Sequence, residues 1–522
     1  MVKYRKWVHL QHNGVAFPPL YDYHGLHIKV KNNVLNLDPV QEEMIYAWAK
    51  KKGTQYYEDN VFISNFLIDF RKTLPKKFSK LKMEDLDLSY ILRYQEKEKE
   101  LASLPENKKK RSAERKHNRE ELKTKYGYTK IDGLLTEVAN WMVEPPGLFI
   151  GRGGHPMRGR WKPRIQEEDV TLNLGKEDPI PKGKWKIVSD NTSMWLARWK
   201  DNLTDKEKYV WPHDSASLRQ ERDKIKYDSA LKFSGKISKI RKHIRKGMMS
   251  KDNELKAIAT VCYLIDNLAM RVGDEKDDDE ADTVGASTLR IEHVKLNSDS
   301  IDFDFLGKDS VRWHKTLRFH KEDTVLLKNF KLFTKRKKKD QPLFTGINSK
   351  AVNRFLRKAM PSLTAKVFRT YHGTAEVKNY LRKNDTIRDS DPEFEKIYHA
   401  RMANLQAAML CNHKKTPPKN WDETFNRKKE RFENLLAQKP KTEKANEKLK
   451  LRIAKQKLMI DLSSRTKDYN LNTSLKNYID PRVYRAWGNH VGLDWRMIYT
   501  KALQRKMAWA DKGRATWKTK DT

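Results

Sequence analysis

One tyrosine near the C-terminal end of the chain lies in a strongly cationic context. Tyr478 occupies the segment Ser474–Arg482, and several motifs rich in arginine, lysine and histidine precede it. A phenol becomes a usable nucleophile when nearby positive charge lowers the free energy of its phenolate and of a pentavalent phosphoryl transition state. This combination of residue types predicts the breaking and rejoining of a nucleic-acid strand.

Four other residues complete the candidate set, and each also has an ordinary structural interpretation. Arg271 follows an apolar helix, where an arginine often only satisfies the last carbonyls of that helix. Lys308 falls at the tip of a predicted hairpin, a position usually occupied by solvated side chains. Arg369 and His413 fall in helical stretches, and an isolated histidine there is more often a hydrogen-bonded core residue than a catalytic one. Taken singly, none of these residues decides the function.

The elements that must position these residues can be read from hydrophobic periodicity. Ile301, Phe303 and Phe305 alternate with aspartates, and the alternation resumes at Val311, so we expect a β-hairpin with Lys308 at its tip. Leu255, Ile258, Cys262, Ile265 and Ala269 follow helical spacing, which predicts an amphipathic helix that ends at Gly273. Residues 220–420 as a whole have the pattern of a mostly helical region.

Two highly charged segments interrupt the packed regions. The composition of residues 85–125 predicts exposed helices that are interrupted at Pro105. These helices are either a solvated face or an arm that projects positive charge toward DNA. Residues 421–470 predict two charged helices folded back on each other around Pro440, acting as a linker. The last fifty residues regain tryptophans and predict a small packed unit from Leu471 onward.

A glycine-rich motif spans Gly147–Arg164 and ends in a run of basic residues. Glycines allow a backbone to approach a ligand closely, and arginines supply phosphate contacts. The motif does not fit a dinucleotide-binding turn, because Pro156 and the basic run stand where a helix should begin. We therefore expect a phosphate-contacting loop.

Composition narrows the class of protein. The 522 residues suggest three or four structural units, and a formal net charge of +40 indicates a polyanionic partner, with DNA or RNA the commonest. No apolar run approaches the length of a membrane-spanning helix, and the first residues carry no secretory signal. The two cysteines, Cys262 and Cys411, are too few for a disulfide framework or a cysteine-rich zinc site.

The order of these motifs resembles that of the eukaryotic-type DNA topoisomerase IB family, a wider relative of the tyrosine recombinases. The resemblance covers nearly the whole chain. It is carried by the segments Gly147–Arg164, Arg271–Lys276, Ala281–Gly285, Phe303–Arg312, Leu363–Tyr371, Cys411–Lys419 and Thr473–Trp487.

The resemblance implies a role for each candidate residue. Arg271 and Arg369 would hold the nonbridging oxygens of the scissile phosphate, His413 would donate to one of them, Lys308 would protonate the departing 5′-oxygen, and Tyr478 would form a 3′-phosphotyrosyl bond. Arg152, Lys162, Lys276, Lys366 and Asn412 match positions that bind DNA, with Lys276 where the lips of a clamp meet. Asn477 and Asp309 match positions that line the camptothecin pocket.

The implied fold is a mixed α and β, multidomain, C-shaped DNA clamp with an α/β cap, a mainly helical catalytic domain and a helical-hairpin linker. The corresponding domains are an N-terminal DNA-binding cap at 1–218, a catalytic core at 219–421, a linker at 422–470 and a C-terminal domain at 471–522. We expect a monomer that binds double-stranded DNA and is associated with the chromosome.

No cofactor is expected. One phosphodiester is exchanged for another of similar free energy, so resealing needs no ATP, and no Walker motif is present around Lys308. A divalent metal is expected to be dispensable and at most stimulatory, and no metal site is predicted. The acidic run at 277–280 suggests a two-metal nuclease only weakly, because adjacent acids in a loop point in different directions.

Several departures from the family pattern leave alternatives open. The family's long basic N-terminal extension has no counterpart in this sequence, and the linker is short. These features are compatible with an archaeal or other minimal enzyme, located in the cytoplasm or nucleoid. They are also compatible with a eukaryotic enzyme located in the nucleus. His372–Gly373 and Ile150 differ from the residues usual in the family. A tyrosine recombinase and a non-catalytic DNA clamp remain the rival functions.

Overall fold

The protein divides into two compact units. The computed structural model describes residues 5–31, 33–151, 153–274, 283–319, 324–513 and 517–518. Among these residues, the first unit comprises those up to Arg219 and the second comprises those from Gln220 onward. The predicted mixed α and β, multidomain class is confirmed. Within the described ranges, no helix combines the length and apolar character needed to cross a membrane.

The first unit contains short strands and four long helices in its described part. In chain order the elements are β1 (Leu10–His12), β2 (His27–Val30), β3 (Asn33–Asn36), α1 (Pro39–Ala49), α2 (Asn60–Thr73), β4 (Leu86–Asp87), α3 (Ser89–Ser103), α4 (Pro105–Tyr126), β5 (Tyr128–Ile131), β6 (Leu134–Glu137), β7 (Gly147–Leu148), β8 (Trp161–Lys162), β9 (Thr171–Asn173), β10 (Lys186–Val188), β11 (Ala197–Lys200) and β12 (Glu207–Val210).

Two separate hydrophobic cores stabilise this unit. One contains Trp48 and the phenylalanines of α2, packed against the sheet β3-β2-β4. The other contains Trp7 and Trp199 between the sheets β1-β5-β6 and β10-β9-β11-β12. The predicted break at Pro105 is confirmed: α4 begins there, because proline lacks the N–H that a first helical residue does not need. No residue of α4 is buried, as expected of a solvated helix.

The glycine-rich motif forms a small hairpin, with β7 paired antiparallel to β8, and no helix opens where a dinucleotide-binding turn would need one. Three of its arginines already have protein partners. Arg158 pairs with Asp59 at 2.6 Å and Arg160 pairs with Asp69 at 2.7 Å, while Arg164 donates to two backbone carbonyls. These basic residues therefore form ion pairs and hydrogen bonds within the protein, which the sequence did not reveal.

The second unit is mainly helical, as predicted. Its described elements are α5 (Ser217–Ser234), α6 (Ile237–Met248), α7 (Asn253–Leu268), β13 (Val294–Leu296), β14 (Ser300–Gly307), β15 (Val311–Arg318), α8 (Thr324–Thr334), α9 (Ser349–Ala359), α10 (Ala365–Lys383), α11 (Glu393–Leu410), α12 (Trp421–Leu436), α13 (Glu443–Arg465), α14 (Leu471–Asn477), α15 (Pro481–Val491) and α16 (Lys501–Lys506).

The predicted hairpin is confirmed. Strands β14 and β15 pair antiparallel from Ser300–Arg318 to Gly307–Val311, and the turn between them is Lys308–Ser310. Ile301, Phe303 and Phe305 are buried on one face, as the period of two requires. The sheet β13-β14-β15 thus holds Lys308 at its end.

Helix α7 ends earlier than predicted. Asp252 caps its N-terminus, but the last helical residue is Leu268, and Ala269 adopts a left-handed conformation with φ of 50°. The chain then continues without regular secondary structure through Met270 and Arg271 to Gly273. The periodicity continued past the true end because Ala269 and Met270 are buried in the core without being helical.

The C-terminal residues pack into a hydrophobic cluster that they share with two helices of the preceding region. Trp487, Trp495 and Trp517 belong to a cluster that also contains Val377 and Leu381 of α10 and three alanines of α11. The first half of α10 contributes to the other core of this unit, with Phe368 fully buried. Helix α10 therefore joins both cores, and the C-terminal segment is packed against the helical core.

The linker prediction of two charged helices is confirmed. Gln456 of α13 donates to the carbonyl of Lys428 in α12, and the Lys428 Nζ donates to Ser463, as in an antiparallel pair. Pro440 lies in the turn between the helices.

Candidate active site

A cavity of about 590 Å³ in the second unit is lined by four of the five candidate catalytic residues. These four are Arg271, Lys308, Arg369 and Tyr478. The fifth, His413, is not a lining residue, but its ring stacks on Tyr478 with centroids 5.1 Å apart and planes 27° apart. Residues distant in the sequence are thus brought to one place by the fold.

Tyr478 lies at the junction of α14 and α15. Its backbone N–H donates to the Ser474 carbonyl at the end of α14, and Asp480 caps the start of α15. The Thr374 hydroxyl of α10 donates to the Tyr478 carbonyl at 3.2 Å and accepts from the Asp480 N–H at 3.0 Å. The tyrosine backbone is therefore fixed from both sides, while its side chain remains half-buried.

Arg369 is held by the C-termini of two helices. Its guanidinium donates to the Ala269 carbonyl after α7 at 2.5 Å and to the Cys411 carbonyl after α11 at 3.0 Å. Carbonyls at helix ends lack intrahelical partners and carry the negative end of the helix dipole, so they favour a cation. The guanidinium carbon lies 4.8 Å from the Tyr478 ring centroid, and Nε has no hydrogen-bond partner among the described residues.

Arg271 faces the tyrosine. Burial and, after it, the charge of Arg369 lower the pKa of Arg271, whereas a hydrogen bond to the Tyr478 side chain opposes this shift. Capping of helix carbonyls, which the sequence suggested for Arg271, is done here by Arg369. Two guanidinium groups and a phenol therefore line the same cavity.

His413 is positioned by the C-terminus of α11. Asn412 takes a left-handed conformation with φ of 53°, and the His413 N–H donates back to the Ala408 carbonyl at 2.9 Å. This six-to-one bond, with Asn412 to Met409 as the inner bond, ends the helix and reverses the chain. The His413 carbonyl then accepts from the Asn470 N–H, which fixes the start of α14.

The environment of His413 favours its neutral form. Burial comes first among the causes, and the charges of Arg369 and Arg271 add to it, so the pKa of His413 is lowered from 6.5 to about 3. The unfolded chain protonates this residue near pH 6.5, whereas the fold resists protonation. The associated stability is complete above pH 6.5 and is lost as the pH falls toward 3.

A pH-dependent stability difference should follow. Between pH 7.5 and pH 5 we expect the free energy of unfolding of the unmodified protein to fall by about 2 kcal/mol more than that of His413→Gln. Urea unfolding of both proteins at both pH values measures this difference, and other histidines cancel in the comparison. An equal loss in the two proteins would show that His413 does not carry the effect.

Lys308 is exposed at the hairpin turn, where Asp309 and Ser310 both have positive φ, of 67° and 56°. The segment 283–288 connects this hairpin to Arg271. The Val284 N–H donates to the Leu306 carbonyl at 2.8 Å, and the Ala286 N–H donates to the Arg271 carbonyl at 2.8 Å.

Glycines 273 and 285 make this connection possible. A Cβ on Gly285 would lie 2.5 Å from the Gly273 Cα, so the two backbones meet only because neither residue has a side chain.

Only some of the other predicted site residues lie at this cavity. Lys366 and Asn477 line the cavity, and Asp309 is next to Lys308 on the exposed turn. The Asn412 side chain donates to the Arg312 carbonyl at 3.0 Å. Arg152 and Lys276, together with the acidic run at 277–280, lie outside the described residues.

Lys162 has a less accessible charge than expected. Its Nζ lies 2.6 Å from both Glu144 and Asp201, and Asp201 is buried. Burial would lower the pKa of Lys162, but the hydrogen bonds to these two carboxylates outweigh it and raise the pKa. A DNA contact by Lys162 would have to form beside two negative charges.

Three functional positions were missed at the level of sequence. Lys226 of α5 lines the cavity, and burial lowers its pKa. The Ser474 hydroxyl lies 2.8 Å from His413 Nδ1, and Thr374 fixes the Tyr478 backbone. Lys226 and Thr374 belong to no distinctive motif, and Ser474 was read only as part of the tyrosine segment.

The described residues hold no group of three or more His, Cys, Asp or Glu side chains that could bind a metal ion. Cys262 and Cys411 are both buried and free. The arrangement of two arginines, a neutral histidine and an adjacent tyrosine hydroxyl can bind a tetrahedral anion and bring it to an oxygen nucleophile.

Three family models match successive parts of the chain. Residues 5–212 match the eukaryotic DNA topoisomerase I DNA binding fragment, residues 215–446 match the eukaryotic DNA topoisomerase I catalytic core, and residues 450–519 match the C-terminal topoisomerase domain.

Curated relatives agree with these matches. DNA topoisomerase 1 beta of Arabidopsis thaliana is 37% identical over 97% of this chain and 58% of its own length. DNA topoisomerase 1 of Drosophila melanogaster is 34% identical over 97% of this chain and 54% of its own length. DNA topoisomerase 1 of Homo sapiens is 32% identical over 97% of this chain and 71% of its own length. The chain thus spans little more than half the length of the first two, and these relatives give no support to an archaeal origin.

Proposed function

Since this chain belongs to the eukaryotic DNA topoisomerase I family, we propose that it relaxes supercoiled duplex DNA as a type IB topoisomerase. It would cut one strand, allow rotation about the other and reseal the break. The observation that carries the proposal is the cavity in which the Tyr478 side chain meets Arg271 and Arg369 with His413 stacked behind it.

The proposed chemistry uses the chain's own residues. The Tyr478 oxygen forms a bond to the phosphorus, its proton passes to water, and the bond from phosphorus to the 5′-oxygen breaks. Arg271 and Arg369 stabilise the added negative charge on the nonbridging oxygens, and His413 donates a hydrogen bond to one of them. The product is a 3′-phosphotyrosyl bond.

Lys308 is the proposed general acid. Its position at an exposed hairpin turn beside the cavity allows it to reach a departing oxygen, to which it gives a proton. Religation is the reverse reaction, in which the 5′-hydroxyl attacks the phosphotyrosine. Because the two phosphodiesters have similar free energies, no ATP and no metal is required, although a divalent cation can stimulate the reaction.

Binding is proposed to occur through a C-shaped clamp that closes around the duplex as a monomer, in the nucleus and on chromosomal DNA. Arg152, Lys162, Lys276, Lys366 and Asn412 are the proposed DNA contacts. The proposed domain limits are 1–218, 219–421, 422–470 and 471–522. With a net charge of +40, affinity should fall steeply as salt rises, because counterion release dominates phosphate binding.

Asn477 and Asp309 are the proposed camptothecin-pocket residues. Asn477 lines the same cavity as Tyr478, and its amide nitrogen donates to the Thr473 carbonyl at 3.0 Å, which leaves its oxygen available. Accumulation of covalent complexes on plasmid DNA in the presence of camptothecin tests this part of the proposal.

Gly373 of α10 should be required for activity. An added Cβ would lie 3.1 Å from the Cβ and the carbonyl of Tyr478, which is tighter than normal packing. We expect Gly373→Ala to slow DNA cleavage by about tenfold or more, because small displacements of a nucleophile are costly. Stability should change little, since alanine favours the helix by about 1 kcal/mol and offsets the crowding.

Single-turnover cleavage of a nicked duplex measures the effect of Gly373→Ala. Gly235→Ala is the matched control, because a Cβ there has no close neighbour other than a backbone oxygen at 3.9 Å. Equal cleavage rates in both variants would contradict the prediction.

The proposed function is tested by relaxation of a plasmid in EDTA without nucleotide, stopped with detergent. We expect full relaxation and a protein–DNA adduct that peptide mapping assigns to Tyr478 at a 3′ end. Attachment at another residue or at a 5′ end would refute the proposal. Intermolecular joining restricted to a particular sequence would support a tyrosine recombinase, and binding without relaxation would support a non-catalytic clamp.

A further inference from the structure

The side chain of Ser474 is the hydrogen-bond partner of the active-site histidine on the side away from the cavity. Its Oγ lies 2.8 Å from His413 Nδ1, and both residues are buried, with Ser474 0% and His413 6% exposed. Ser474 belongs to α14, the short helix that ends directly before Tyr478. One residue therefore links the histidine and the nucleophile-bearing helix.

This contact matters because a neutral imidazole has one N–H. If the proton is on Nδ1, Nε2 is an acceptor and cannot donate to a phosphate oxygen. If the proton is on Nε2, it can donate, but Nδ1 must then accept a hydrogen bond from its neighbour. The neighbour of Nδ1 thus decides what His413 can do on its other side.

A serine hydroxyl is able to donate in this geometry. Among the described residues, His413 Nδ1 is the only hydrogen-bond partner of the Ser474 Oγ. Because the hydroxyl is fully buried, its hydrogen has no acceptor when Nδ1 carries the proton. The arrangement that satisfies the serine is therefore the one in which it donates to Nδ1.

In the absence of DNA, the contact of His413 on the cavity side favours the other tautomer of the ring. Arg369 Nη2 lies 3.5 Å from His413 Nε2, at the outer limit of a hydrogen bond, and a guanidinium can only donate. This weak contact favours an unprotonated Nε2. A phosphate oxygen that accepts from both Arg369 and His413 removes that preference and requires a proton on Nε2.

Building on the proposed topoisomerase function, we propose that Ser474 is a positioning residue that donates its hydroxyl hydrogen to Nδ1 of His413 when the phosphodiester binds, so that Nε2–H points at a nonbridging oxygen. The hydroxyl can accept in the free protein and donate in the complex, and this exchange costs no rearrangement of the backbone. A neutral donor also agrees with the lowered pKa of His413, which burial and the two arginines produce.

The tautomer itself can be read in the protein as it exists. The probe is a nicked DNA duplex bound to the 522-residue protein carrying Tyr478→Phe, with ¹⁵N-labelled histidine rings. Two-bond nitrogen–proton correlations identify the protonated nitrogen, and the spectrum of His413→Gln assigns the signal. We expect a neutral ring with the proton on Nε2. A neutral ring protonated on Nδ1, or a doubly protonated ring, would overturn the proposal.

Variants of Ser474 give an independent test. We expect Ser474→Ala to slow single-turnover cleavage by about 10- to 100-fold, by analogy with the loss of the outer hydrogen-bond partner of a metal-bound histidine. Ser474→Thr, which keeps a hydroxyl, should recover most of the rate. DNA affinity and its salt dependence should be unchanged. Ser229→Ala is the control, because it removes a buried hydroxyl that has no partner among the described residues.

A double variant separates positioning from simple loss of structure. If Ser474 acts through His413, Ser474→Ala should add no further slowing to His413→Gln. Multiplied effects, or wild-type cleavage by Ser474→Ala, would refute the role of Ser474. Should Ser474→Ala not fold, the ring spectrum of the unsubstituted serine still decides the question. Failure of the unmodified protein to relax plasmid DNA would instead refute the underlying function.

Discussion

Tyr478→Phe should reduce plasmid relaxation by at least about 10⁴-fold, because the substitution removes the oxygen that forms the covalent bond. Loss of a catalytic nucleophile in other covalent enzymes has effects of that size or larger. We also expect no protein–DNA adduct after a detergent stop. Time courses of relaxation and denaturing gels of end-labelled DNA measure the two losses.

The same variant should bind DNA nearly as well as the unmodified protein. Phenylalanine keeps the ring that stacks on His413 and lies 4.8 Å from the Arg369 guanidinium. Binding depends mainly on phosphate contacts by cationic residues, which are retained. Tyr469→Phe, in the turn before α14, is the matched control and should relax DNA normally. Relaxation by Tyr478→Phe would mean that another residue is the nucleophile.

Arg369→Lys should lower the rates of cleavage and religation by about 10²- to 10³-fold, although the charge is kept. The guanidinium donates to two helix-end carbonyls at once, those of Ala269 and Cys411, and still has Nε without a partner among the described residues. A lysine is a single compact donor group that cannot bridge both helix ends and also hold a phosphate oxygen. Single-turnover cleavage measures the loss.

The stability effect of Arg369→Lys has to be separated from its catalytic effect. Leaving a buried carbonyl without a donor costs about 1–3 kcal/mol. Arg485→Lys is the matched control, because the Arg485 guanidinium also donates to two backbone carbonyls, those of Ala510 and Gly513, and it does not line the cavity. We expect Arg485→Lys to leave cleavage near normal and to cost less stability than Arg369→Lys, because the Gly513 carbonyl is exposed. Equal activity of the two variants would contradict a direct role for Arg369.

Local sequence patterns predicted which helices and strands carry the candidate site more accurately than they predicted where those elements end. The alternation at Ile301–Phe305 gave the correct hairpin and put Lys308 in its turn, because a strand with one buried face leaves a period of two. The end of α7 was wrong by several residues, since Ala269 and Met270 are buried outside the helix. A buried position is occupied by an apolar residue whether its backbone is helical or not, so the pattern of apolar residues does not mark the end of the helix.

The C-terminal packing shows a second limit of local patterns. The tryptophans after Leu471 indicated a core, and a core is present, but α10 and α11 supply part of it. Which segments share a core depends on contacts between residues far apart in the chain. The roles assigned to Arg271, Lys308, Arg369, His413 and Tyr478 stay predictions until the variants are measured.

By itself, the sequence determined that the chain is basic, mainly helical in its second half and equipped with the motifs of a known family, because composition, period and motif order are local properties. Only the tertiary structure decided that Arg369 caps two helices, that Arg271 faces Tyr478 and that Ser474 is bonded to His413. These contacts join residues up to about two hundred positions apart, and they arise from how α7, α10, α11 and α14 pack together. No pattern of neighbouring residues specifies that packing.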